Sequence, residues 1–191
     1  MAYNIKDVFY LSTSTIVAAG TGNGGSAQLD LSAYIDPIAR GRTKGTGLAV
    51  YKAHFHVQQS ASNSDPIDDA EVGTFSYGLL AGAGFGDLDT GNLQASATVF
   101  DATNALLVQN GSFYGPKSMI ANASTTVDMF PNTAVMPSVD VPYVIVRDNV
   151  CLTYQVHDQM TEATTLSVRL EVAQISLDQA TLNQLLRTQT V

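Results

Sequence analysis

Residues Thr46 to Gln58 read TGLAVYKAHFHVQ. Side chains alternate with period two along a strand. As a strand, this stretch puts Tyr51, Ala53, Phe55 and Val57 on one face and Lys52, His54 and His56 on the other. A strand of about a dozen residues is roughly 40 Å long, well beyond the usual length. It needs paired neighbours along all of it, so the stretch predicts the spine of a large antiparallel sheet.

Working upstream, Arg40, Arg42 and Lys44 form a short basic connection after Asp36-Pro37. Before it, Ala27, Leu29, Leu31, Ala33 and Ile35 alternate with polar residues as a half-buried strand. Gly20 to Gly25 is a flexible loop, and Asp7 to Val17, rich in Val, Phe, Tyr, Thr and Ile, is the first strand. Downstream, Ser60 to Ala70 is polar and turn-forming. Val72 to Leu80 and the alternating Leu93 to Val99 are strands, separated by the Gly-rich AGAGFGDLDTG at 81–91. Asn104 to Tyr114 predicts a hairpin turning at Asn110-Gly111, a favoured turn pair. Thr125 to Phe130 is a short strand, and Pro131, Pro137 and Pro142 punctuate a long loop. Tyr143 to Arg147 and Val150 to His157 predict a second hairpin around Asp148-Asn149, with Val150, Leu152, Tyr154 and Val156 on one face. Leu166, Val168, Leu170 and Val172 give the clearest alternation of all. Ser176 with Gln179 reads as a capping box. It opens the single helix, about 177–188, whose stripe is Leu182, Leu185 and Leu186.

This order of elements predicts an all-β antiparallel β-sandwich of about 8–10 strands with one short C-terminal helix. Loops of unequal length favour Greek-key connections, and hence a jelly roll, over an up-and-down barrel. The length of 191 residues fits a single domain covering 1–191.

Composition narrows function. Charged residues make up 14% of the chain and hydrophobic ones 45%. Soluble domains usually carry about 25% charged residues. A weakly charged surface rich in Ser, Thr, Asn and Gln invites association, so copies of itself are the expected partners. The net charge of −8 argues against nucleic acid as the main partner. Cys151 is the only cysteine and reads as a small strand residue. The N-terminal MAYNIKDVFYLSTSTIV lacks the pattern of a signal peptide, so synthesis in the cytoplasm is expected. No apolar run approaches the ~20 residues of a membrane span.

No catalytic constellation stands out, and the chain contains no G-x-S-x-G or H-E-x-x-H. Enzymatic activity and cofactors are therefore not expected. The metal candidates are His54 and His56 on one strand face and the acidic cluster Asp65, Asp68 and Asp69 with Glu71. The expectation is that these bind no metal. Arg40, Arg42 and Lys44 are read as interface residues that meet an acidic neighbour such as the 65–71 loop of another subunit. Leu182, Leu185 and Leu186 are interface candidates on the helix.

Two families resemble parts of this pattern. Gly47, His54 and His56 are similar to the first metal motif of cupins, which implies a metal-dependent enzyme or ligand-binding domain. That family expects a glutamate where this chain has Ser60 and Ala61, and one fewer residue before the first histidine. His157 would have to replace the missing carboxylate. The chain as a whole resembles the single jelly-roll major capsid proteins of icosahedral viruses, in pattern and without a diagnostic motif. That likeness implies a self-assembling shell subunit located in the virion. Its partners would be further copies and other capsid proteins, such as a penton or minor capsid protein. No basic N-terminal arm for a genome is expected, so the likeness leans toward shells that stand on an internal membrane, contacted through other components. A decoration, tail or filament subunit on a similar sandwich is the alternative.

Overall fold

The computed structural model describes residues 7–22, 24–36, 44–59, 72–82, 99–115 and 136–189. They form eight strands and one helix. The strands are β1 Phe9–Val17, β2 Gly24–Asp30, β3 Lys44–Gln59, β4 Thr74–Ala81, β5 Leu107–Tyr114, β6 Tyr143–Ile145, β7 Asn149–Asp158 and β8 Thr164–Asp178. The helix, α1, is Gln179–Thr188. Two four-stranded sheets result, ordered β1-β8-β3-β6 and β2-β7-β4-β5. Every pairing is antiparallel. The expected strands at 93–98 and 125–130, and most of the Gly-rich stretch, lie outside the described residues.

The spine is real and longer than its sequence signal. β3 has 16 residues and pairs with β8 from Lys44↔Asp178 to Gln59↔Thr164. The even pattern predicted for it breaks once. A bulge between Val50 and Lys52 inserts Tyr51 as an extra residue. Side-chain parity flips there. Leu48 and Val50 face the core before it, and Ala53, Phe55 and Val57 face it after. Tyr51 therefore leaves the predicted face and packs with Ala49 and Ala173 in a separate cluster.

The core lies between the sheets. Leu48, Val50, Leu166, Val168, Leu170 and Val172 come from one side, and Phe75, Leu79, Leu152, Tyr154 and Val156 from the other. Phe55 of β3 meets Tyr77 of β4 across the gap, with ring centroids 4.7 Å apart. The predicted row Val150, Leu152, Tyr154 and Val156 does face this core.

Four local expectations give way to tertiary structure. The strand read through Ile35 stops at Asp30, where the Ser32 N–H donates to Asp30 Oδ1 at 2.8 Å. Leu31 and Ile35 are still both buried, because the turn brings the Ile35 N–H to the Leu31 carbonyl at 3.1 Å. Positions four apart satisfy a helical turn as well as a strand, so alternation alone could not separate them.

Asn110-Gly111 is not a turn. Both residues sit inside β5, opposite Gly78 and Tyr77. A Cβ on Gly111 would lie 2.6 Å from Tyr77 Oη, so the glycine is there to admit the tyrosine ring. Asn110 Nδ2 donates to the Phe100 carbonyl at 2.8 Å, tying down the segment before the strand. The chain turns earlier, where Asp101 Oδ1 accepts from the Thr103 N–H at 2.8 Å.

β6 and β7 are not a hairpin. β6 pairs with β3 and β7 with β2 and β4, so the link between them crosses from one sheet to the other. The crossing is pinned at both ends. The Val146 N–H donates to Gln189 Oε1 at 3.1 Å, and the Leu31 N–H donates to the Asp148 carbonyl at 2.7 Å.

The helix cap also moves. Ser176 and Leu177 remain in β8, and Asp178 caps α1 by accepting from the Thr181 N–H at 2.7 Å. Pairing of Thr46 with Ser176 and of Gly45 with Leu177 holds those residues in the sheet, so the competing box cannot form.

Asp30, Asp101 and Asp178 thus share one device, a carboxylate accepting a backbone N–H. Those bonds hold all three carboxyls below the usual range. A lowered carboxyl stabilises the fold above its ordinary value, and the contribution is lost as pH falls through the lowered one. Asparagine can accept the same bond without titrating. The triple variant Asp30→Asn, Asp101→Asn and Asp178→Asn should show a shallower loss of stability than the parent between about pH 5 and pH 2. Urea denaturation across that range measures it, and superimposable acid limbs would refute the assignment.

Candidate functional site

The two outer faces differ. On the second sheet, Val99, Phe100 and Leu106 pack over Leu80, Leu107 and Cys151. Burial pushes the Cys151 thiol up, so little thiolate forms, which matches the expected small strand residue. On the first sheet, α1 covers one end, with Leu182 against Val146 and Leu177. The stretch across β1, β8 and β3 carries exposed side chains over a shallow hollow of about 810 Å³.

Register builds this face as a grid of three rows. Tyr10 stands by Glu171 and Lys52, Ser12 by Arg169 and His54, and Ser14 by Ser167 and His56. The rows follow from period two on three strands in register. His54 Nε2 lies 2.9 Å from Glu171 Oε1, with the His54 side chain 53% exposed. The Arg169 guanidinium sits over the Tyr10 ring at 5.9 Å from its centroid. Tyr10 and Ile16 are 61% and 60% exposed on the same face of β1. Hydroxyls, both signs of charge and apolar side chains thus share one exposed face.

His54 and His56 do share a face, as expected, but it points to solvent and not into the sandwich. His157 does not join them. It belongs to β7 of the other sheet, where its Nε2 lies 2.7 Å from Ser76 Oγ. Among the described residues no three His, Cys, Asp or Glu side chains converge as a metal would need. The Ser76–His157 pair was invisible in sequence, because the two residues are 81 positions apart and only strand register joins them. Asp158 Oδ1 accepts from the Gln159 N–H at 2.8 Å.

Of the other predicted residues, Lys44 stands opposite Asp178 in register, and its charge adds to what lowers that carboxyl. Arg40, Arg42, Asp65, Asp68, Asp69 and Glu71 lie outside the described residues. Leu182 is fully buried within its own chain, so it serves the fold and not a subunit contact. Leu185 and Leu186 are half-buried beside it. Among the described residues no helix is long and apolar enough to cross a membrane. Compared with known proteins, the chain matches no family model and no curated sequence.

Proposed function

We propose that this chain is a structural subunit of a viral capsid, built on a jelly roll, which assembles with copies of itself into an icosahedral shell of the virion. The observation that carries this reading is the strand order. β1 pairs with the last strand and β2 with the one before it, giving β1-β8-β3-β6 facing β2-β7-β4-β5. Two interleaved Greek keys have that order. The side chains of both sheets fill the interior, which makes the domain a stiff block. Its weakly charged surface, with an open face on one side, then supplies contacts between copies.

The net charge of −8 supports a division of labour in which another component neutralises the genome. Other capsid proteins, such as a penton or minor capsid protein, would complete the shell and reach any internal membrane. The solvent-facing position of His54 and His56 weighs against the cupin-like alternative, whose metal would need a sheltered site.

The test is direct. Light scattering of the purified chain at micromolar concentration should give a mass several-fold above 20.2 kDa. Electron microscopy of the same sample should show closed shells or rings. Rods or isolated knobs would favour a filament or decoration subunit, and a lasting monomer would overturn the reading.

A further inference from the structure

We infer that the free edge of β1 pairs antiparallel with β1 of a second copy, about a two-fold axis at Thr13, so that two sheets join into one. This rests on the self-association proposed above and names its contact.

β1 lies at the end of its sheet, and among the described residues only β8 pairs with it. Free edges in monomers are usually blunted by lysine, proline, a bulge or shortness. β1 has none of these. Its nine residues, FYLSTSTIV, carry no charge and no proline, and they pair with β8 without a register shift. The other edges differ. β6 has three residues, β2 ends in Asp30, and β5 pairs with β4 through a bulge.

The sequence says which partner fits. Residues 8–18 read VFYLSTSTIVA and are nearly symmetric about Thr13. Ser12 and Ser14 are equidistant from it, as are Tyr10 and Ile16, and Phe9 and Val17. An antiparallel pair about a two-fold axis places positions equidistant from the axis opposite each other. Ser12 would then face Ser14 of the second copy, and Tyr10 would face its Ile16. Aromatic with β-branched is a favourable cross-strand pair, and serine with serine can hydrogen-bond. Tyr10 and Ile16 are the most exposed large apolar side chains on the described strands. One pairing covers both, twice over. On the inner side Leu11 would lie opposite Thr15, and the pairing ends at Tyr10 and Ile16, because Val17 is already fully buried within its own chain. The Ile16 carbonyl already accepts the Tyr154 hydroxyl at 2.9 Å, so a ladder bond to a second copy would use its other lone pair.

The test uses the whole chain. Tyr10→Lys with Ile16→Lys sets like charges opposite each other and should lower the light-scattering mass at least twofold. Tyr10→Glu with Ile16→Lys sets opposite charges across the same axis and should restore it. Both sites are exposed, so circular dichroism should be unchanged in either variant. Separately, Ser12→Cys chains mixed with Ser14→Cys chains under oxidised glutathione should form a disulfide-linked heterodimer, with little self-linked product from Ser12→Cys alone. Cys151 is buried and does not compete. If the double-lysine variant keeps the parent mass and the mixture stays unlinked, copies meet elsewhere and this inference fails while self-association stands. A parent chain that remains monomeric overturns both.

Discussion

Phe75→Ala is expected to cost about 3–5 kcal/mol, the range for emptying a buried aromatic site. Phe75 is fully buried at the start of β4. Its ring stacks on Phe113 at 5.0 Å and lies 6.0 Å from Tyr77 and 6.4 Å from Tyr154, centroid to centroid. Three strands of the second sheet therefore meet on one side chain. The neighbours cannot close the gap cheaply, because Tyr77 is also engaged with Phe55 of the opposite sheet. Filling the space would pull that ring off the joint between the sheets. Equilibrium urea denaturation gives the value, and a loss under about 1 kcal/mol would show that the site collapses freely and that the cluster is not a keystone.

Leu182→Ala is expected to cost about 2–5 kcal/mol, again through a cavity. Leu182 is the one fully buried residue of α1. It packs with Val146 and Leu177, and its Cδ2 would lie 2.8 Å from a Cβ on Gly45, so glycine leaves the room it occupies. Losing it loosens the helix from the sheet. Gln189 depends on that docking, since its side chain accepts from the Val146 N–H and donates to the Val144 carbonyl at 2.6 Å. Amide exchange should therefore rise at Val146 along with the loss of stability. If Leu182 were a subunit contact instead, its removal would lower the assembly mass and leave the isolated fold intact. Leu185→Ser, at a half-buried position, provides the comparison and should cost less.

Sheet content was legible because alternation survives wherever one face is dry. β8 and β7 show this best, with Leu166 to Val172 and Val150 to Val156 buried as read. Local signals failed where a tertiary contact overrode them. Tyr51 keeps the period in sequence but sits at a bulge, and nothing in a one-dimensional pattern marks an extra residue. Asn110-Gly111 has a strong turn preference, yet the Tyr77 ring on the neighbouring strand claims the space above the glycine. Asp148-Asn149 looks like a hairpin turn, but the strands on either side belong to different sheets. The histidine face was readable as far as His54 and His56. Glu171 and Arg169 joined it only through register with β8.

The order of residues alone settled that this chain is built of antiparallel strands with a short amphipathic helix at its end, because backbone alternation and helical spacing are local properties. It also settled the near-symmetry of β1 about Thr13. Folding in three dimensions decided which strands are neighbours, where parity flips, and that the paired histidines look outward. Those outcomes depend on contacts between residues from tens to more than a hundred positions apart, such as His54 with Glu171, whose pairing is selected by the shared core and by nothing nearby in the chain.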